Sequence, residues 1–176
     1  WGVRRSLVAR RRSIAKARDS PGPAAFAARV GKQDRLVENG VMSTPEDPIA
    51  RFLSSPAYGV VGASSRRHKY GNKVLRCYQQ NGRRAIPVNP REQVIEGADC
   101  VGSVLDLPDD VRSISVITPP AVTEQVVQQA ISKGIENVWM QPGAENAASV
   151  EACCRAGINV IADGSCLLVV LGYRER

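Results

Sequence analysis

The chain has 176 residues, 43% of them hydrophobic and 23% charged, with a formal net charge of +7. Those proportions belong to an ordinary globular protein, and the longest apolar run, Cys166 to Leu171, falls far short of the roughly 18 residues of a membrane span. The positive charge invites a nucleic-acid partner until it is located. Residues 1–41 hold ten basic and three acidic side chains, whereas the 14 basic and 14 acidic ones that follow cancel, so the domain itself lacks a net basic balance.

Trp1 stands first, and the run to Val41 is rich in Arg, Ala and Ser and poor in acids. The expectation is a leader over 1–41, disordered or non-native, with a transit peptide as the alternative, and a folded domain over 42–176 that begins at Met42. Cytoplasm is the expected compartment, or the mitochondrial matrix if the leader is a transit peptide. Five cysteines, odd in number and without a Cys-x-x-Cys pair, point to reduced structural thiols.

From Thr44 as cap and Pro45 at the first position, a short helix is predicted that lays Ile49, Phe52 and Leu53 on the domain. Tyr58 to Ala63 is an apolar run ending in small residues, a buried strand feeding a tight turn. A helix over Gly71 to Gly82 carries Val74, Leu75 and Tyr78 on one face and stops at Asn81-Gly82. Ala85 to Val88 is a second strand, cut by Asn89-Pro90, and a loosely patterned stretch runs on to Leu107-Pro108. Ser113 to Thr118 is a third strand, halted by Pro119-Pro120. The helix over Ala121 to Lys133 sets Val122, Val126 and Ala130 in one row, widened by Val127 and Ile131, and ends at Gly134. A strand at Asn137 to Met140, a helix at Ala144 to Ala156 and a strand at Asn159 to Ala162 complete the alternation.

Short apolar strands alternating with amphipathic helices predict an α/β fold, a Rossmann-like doubly wound parallel sheet in one domain. Ligands of such sheets bind beyond the carboxyl ends of the strands. The loop after the first strand offers Gly62, Ala63 and Ser64 for close backbone approach to an anion. Ser64 and Ser65 add hydroxyls, and cations lie nearby from Arg66 to Lys73. Gly-x-Gly-x-x-Gly and Gly-Lys-Ser/Thr are both absent. After the second strand stand Asn89, Pro90 and Arg91 in place of the acid an NAD site uses, so a ligand with a phosphorylated ribose, NADP or coenzyme A, is favoured. Thr118, Pro119 and Pro120 form a stiff loop suited to gripping a thin ligand arm.

Six segments in order carry a family resemblance: Gly59 to Ser64, Lys69-Tyr70-Gly71, Pro87 to Pro90, Thr118 to Pro120, Val138 to Gly143 and Cys166 to Val169. Over residues 46–171 the chain resembles the small single-domain CoA-binding proteins, relatives of the CoA-binding domain of the succinyl-CoA synthetase α subunit. The resemblance implies a CoA or acyl-CoA ligand, its diphosphate on the first loop including Lys69, Tyr70 and Gly71, its adenosine near Asn89 and Pro90, and its pantetheine beside Thr118 to Pro120. Val170 departs from the glutamate common in the family.

His68, the single histidine, lies in the first loop, and no metal-ligand spacing is present, so phosphate passage through a histidine is not expected here. Cys166 is either a buried structural thiol or a residue that meets the CoA thiol. The expectation is therefore a non-catalytic CoA-binding module whose partners are the small molecule and, beyond it, a second copy or a partner subunit. The rivals are an NADP-dependent or acyl-CoA-processing enzyme, and a redox regulator that responds to dinucleotides.

Overall fold

Asp47 and Pro48 open the first described element: the Asp47 side chain accepts from the Ile49 amide at 3.0 Å, and Pro48 occupies the first helical position. The computed structural model describes residues 47–175; the expected leader, the boundary at Met42 and the Thr44-Pro45 cap lie outside the described residues. Helix α1 spans Pro48–Leu53, later than the Thr44 cap implied, because Asp47 caps and a second proline supplies the preset first turn. It buries Phe52 against the sheet, as expected.

The chain then runs through β1 (Ala57–Val61), α2 (Tyr70–Gln80), β2 (Arg84–Val88), a small hairpin of β3 (Val94–Ile95) and β4 (Ala98–Asp99), and a single 3-10 turn at Val104–Asp106. β5 (Ser113–Val116), α3 (Pro120–Lys133), β6 (Asn137–Met140), α4 (Ala147–Arg155), β7 (Asn159–Ile161) and α5 (Leu167–Val170) follow. Five strands form one sheet in the order β2-β1-β5-β6-β7, every pair parallel. The irregular stretch after Asn89 holds the hairpin, whose turn residues Glu96 and Gly97 both take positive φ, 49° and 78°.

Alternation along the strands builds two cores. Val61, Ile114, Val116, Val138 and Met140 pack with Val126, Val127, Ala130 and Cys153 of α3 and α4. Tyr58, Val60 and Trp139 point the other way and meet Phe52, Val74, Leu75, Tyr78 and Leu167 of α1, α2 and α5. Ser113 and Ser115 also face this second core, and each is satisfied there. Ser115 shares a 2.8 Å bond with the Tyr78 hydroxyl, and Ser113 meets the Ser55 hydroxyl at 2.5 Å and the Asn137 amide at 3.0 Å.

Two further helices differ from their sequence pattern. On α3 the buried row is Thr123, Val126, Val127 and Ala130, whereas Val122 and Ile131 are 43% and 36% exposed. Thr123 is buried because its hydroxyl bonds Thr118 Oγ1 at 2.9 Å, and that rotates the apolar stripe away from Val122. The fourth helix starts at Ala147 rather than Ala144, since Asn146 caps it by accepting from the Ser149 amide at 2.8 Å.

The carboxyl tail folds back on α2. Gln80 exchanges two bonds with the Arg174 backbone, and Glu175 pairs with Lys73 at 3.0 Å and Arg76 at 3.3 Å. The Lys73 bond, with Arg76 beside it, holds the Glu175 carboxyl below its ordinary value. A depressed carboxyl stabilises the docked tail above the unfolded glutamate value, roughly pH 4.3, and that contribution fades as pH falls through the folded value. The Arg174 amide, bonded to the Gln80 side chain, is therefore expected to lose NMR hydrogen-exchange protection in acid before the sheet does. A tail that releases only together with β1 contradicts this docking.

Candidate ligand site

Strand order reverses between β1 and β5, and a cleft of about 310 Å³ opens there, beyond the carboxyl ends of β1, β2 and β5. Val61 and Gly62 form its floor, Val88, Asn89 and Pro90 one wall, and Thr118 with Val122, Gln125, Val126 and Gln129 of α3 the other. Gly102 and Ser103 close one side.

The turn after β1 is set by two glycines. Gly62 has φ of +88°, and a Cβ there would stand 3.0 Å from the Ile117 carbonyl oxygen. Gly71, in the first turn of α2, lies so close that a Cβ would come 2.1 Å from the Gly62 carbonyl oxygen. These contacts press the α2 N-terminus onto the turn and keep Ala63, 1% exposed, beneath it.

Asn89 ties the second loop to the first. Its amide donates to the Ala63 carbonyl at 2.7 Å, while its side-chain oxygen accepts from the Arg91 amide at 2.9 Å. Asn72 likewise donates to the Ser64 carbonyl at 2.8 Å and to Glu96 at 2.9 Å. Ser64 Oγ accepts from the Arg66 amide at 3.2 Å. Ser65 gives both its amide and its hydroxyl to Glu92, at 3.3 and 2.9 Å, so a carboxylate occupies the donors at this point of the loop. Thr118 bonds Thr123, Pro119 caps α3 and Pro120 occupies its first turn.

Of the residues singled out in the sequence, Gly62, Asn89, Pro90 and Thr118 line the cleft. Ser65 and Lys69 lie on the exposed outer turn with Ser64 half-buried beside them, and Gly71 packs behind it. Pro119 and Pro120 are exposed at the start of α3. Tyr70 points elsewhere: its hydroxyl lies 2.8 Å from Cys166 Sγ and 3.3 Å from Gln141 Oε1, and burial pushes its ionisation well above the ordinary phenol value. Pattern reasoning missed Val122, Gln125 and Gln129 as lining residues, and Glu92 as a partner of the loop. No local signal marked them: Val122 reads as part of the apolar row of its helix, and only the fold turns it toward the cleft.

The cation cluster is divided. Arg67 pairs with Glu96 at 3.4 Å and Lys73 with Glu175, whereas Arg66, Lys69 and Arg91 are exposed and make no salt bridge among the described residues. Among those residues no group of three His, Cys, Asp or Glu side chains could hold a metal ion, and no helix is long and apolar enough to cross a membrane. Burial pushes the Cys77 and Cys153 thiols up to about 11, which marks both as inert packing groups. An apolar cleft at the switch point, a tight glycine turn and exposed cations nearby are features suited to an anionic, nucleotide-like ligand.

Residues 57–171 match the family model described as CoA binding domain, and the chain belongs to that family. A conserved hypothetical protein from Pyrococcus furiosus is 37% identical with a TM-score of 0.62, the match covering 66% of this chain and 98% of that one. A hypothetical protein from Pyrococcus horikoshii is 28% identical with a TM-score of 0.67, over 79% and 95% of the two chains. Among curated proteins, the ADP-forming acetate–CoA ligase II of Archaeoglobus fulgidus is 33% identical over 92 residues, which are 51% of this chain and 14% of the ligase. The ADP-forming acetate–CoA ligase of Methanocaldococcus jannaschii is 28% identical over 87 residues, 49% of this chain and 12% of the ligase. The chain thus corresponds to a small part of those ligases.

Proposed function

We propose that this chain binds CoA or an acyl-CoA across the carboxyl edge of the sheet, as a CoA-binding module that works with a partner subunit or a second copy of itself. The observation that carries the reading is the cleft between β1, β2 and α3, where an amide and a proline directly follow β2 and line the wall, while the acid of that loop, Glu92, is turned to Ser65 and does not line the cleft. An acid there serves an unphosphorylated ribose diol; its absence, with Arg91 exposed next door, suits a ribose that bears a phosphate. The cleft lies at the small end of the roughly 300–1,000 Å³ range of ligand pockets, so it takes one end of a long ligand while the rest runs over Gly62 and along the strand ends. Cytoplasm is the proposed compartment, with the mitochondrial matrix as the alternative.

Titration calorimetry and thermal melts of the full chain with CoA, acetyl-CoA, NADP and NAD test the reading. At 100 times its dissociation constant the right ligand stabilises by about 2.7 kcal/mol. Val122→Trp fills the cleft from an exposed position, so it is expected to weaken CoA at least tenfold with little change in the unliganded melt. Stabilisation by the nicotinamide dinucleotides alone overturns the proposal. Asn89→Asp is a poorer probe, because it also removes the donor that holds the Ala63 carbonyl.

A further inference from the structure

Three residues far apart in the chain meet at the carboxyl edge, on the α2 side of the sheet. Tyr70 opens α2 directly after the first loop, Gln141 follows β6, and Cys166 precedes α5. The Tyr70 hydroxyl lies between Cys166 Sγ and Gln141 Oε1, and the same Gln141 oxygen accepts the Leu167 amide at 2.9 Å. Leu167 N–H can only donate, so the carboxamide has one orientation: its oxygen toward Leu167 and Tyr70, its nitrogen left over. Gln141 is 1% exposed, and its Nε2 has no hydrogen-bond partner. A buried amide donor without an acceptor is costly. Here it belongs to a carboxamide packed against the residue that follows Cys166 and against the hydroxyl that touches its sulfur. Cys166 itself is partly exposed, unlike Cys77 and Cys153.

A thiol, a hydroxyl in contact with it and an unused amide donor can serve acyl transfer to sulfur as nucleophile, proton relay and oxyanion donor. We infer that Cys166 accepts the acyl group of a bound acyl-CoA, with the Gln141 amide donating to the thioester oxygen and Tyr70 moving the proton. The inference rests on the proposal that the ligand is an acyl-CoA lying along this edge. Cys166 Sγ forms a bond to the thioester carbonyl carbon, and charge collects on the oxygen facing Gln141 Nε2. The bond from that carbon to the CoA sulfur then breaks. The Cys166 proton passes through the Tyr70 hydroxyl, which accepts it and releases its own, to the departing sulfur. One thioester is exchanged for another, giving S-acyl-Cys166 and free CoA, with no oxidant or further reactant.

The test incubates the full chain with acetyl-CoA and, separately, with S-acetyl-N-acetylcysteamine, a thioester without a nucleotide, and follows intact mass and peptide mapping. One acetyl group is expected on Cys166, released by hydroxylamine, absent in Cys166→Ala and retained in Cys154→Ala. Gln141→Met and Tyr70→Phe are expected to slow acetylation at least tenfold at saturating acetyl-CoA, where a change in affinity does not enter the rate. Mapping on the native chain keeps the inference falsifiable if either variant folds poorly. CoA binding without Cys166 acetylation from either donor overturns this inference alone, as does acetylation confined to the exposed Cys154. Acetylation of Cys166 by the small thioester in a chain that does not bind CoA overturns the ligand proposal and leaves the acceptor thiol standing.

Discussion

Replacing Trp139 with alanine is expected to lower the stability of the domain by about 3–5 kcal/mol, the range for truncating a buried aromatic side chain. Trp139 is fully buried, meets the Phe52 ring edge-on at 5.3 Å and donates its indole N–H to the Ser165 carbonyl at 3.0 Å. Alanine removes all three contributions and leaves a cavity between β6 and α1 that neither element can fill. Against a typical total of about 5–15 kcal/mol, that is a third or more of the stability of many domains. Urea denaturation followed by circular dichroism measures it, since the variant lacks its core tryptophan. Trp139→Phe keeps much of the apolar contact and leaves the Ser165 carbonyl without its donor, so it should lose less. Equal losses for the two variants would mean that the indole bond, rather than the packing, dominates.

Gly71→Ala is expected to damage stability and ligand binding together. Its new Cβ would come 2.1 Å from the Gly62 oxygen and 3.2 Å from the Ala63 Cα, both backbone atoms that no rotamer change can move. The α2 N-terminus must withdraw from the turn, at about 1–3 kcal/mol or more by the usual cost of overpacking. With the amides displaced from the Gly62 to Ser64 turn, CoA affinity is expected to fall at least tenfold, about 1.4 kcal/mol. Gly82→Ala supplies the comparison: its φ of +63° is unfavourable, but nothing lies within 4 Å of the added carbon, and it is far from the cleft. A Gly71 variant that melts and binds like the native chain would show that α2 tolerates the shift, and the close packing would then carry no function.

The fold was legible wherever local pattern and burial coincide. Asn137 to Met140 is a strand at the bounds its apolar run implies, because helices cover both faces of the sheet there. The third helix ends at Lys133 because Gly134, φ +74°, accepts the left-handed cap. Legibility failed where a distant partner overrides the pattern. Thr123 reads as polar, yet it is buried through its bond to Thr118, and Val122 reads as core, yet it stands at the mouth of the cleft. The first α-helix begins at Asp47-Pro48 because that acid makes the cap, a choice that the alternative Thr44-Pro45 pair obscures.

The candidate site divides in the same way. Gly62, Asn89, Pro90 and Thr118 could be named from their places at strand ends, since parallel topology alone brings those ends together. Their hydrogen bonds could not. Asn89 holds Ala63 across 26 residues, Ser65 is taken by Glu92 across 27, and Tyr70 turns to Cys166 across 96. The amino-acid sequence by itself determined the alternation of strands and helices, the parallel sheet that follows from it, the family and the stretches from which a ligand site is drawn. Those depend on burial and backbone preference, which are written locally. Only the tertiary structure decided the row α3 buries, the carboxylate that sits on the first loop and the buried Gln141 donor left without an acceptor. Each of these is a pairing between remote segments, and a polar group's partner is settled by which segment the folded chain brings within hydrogen-bond reach.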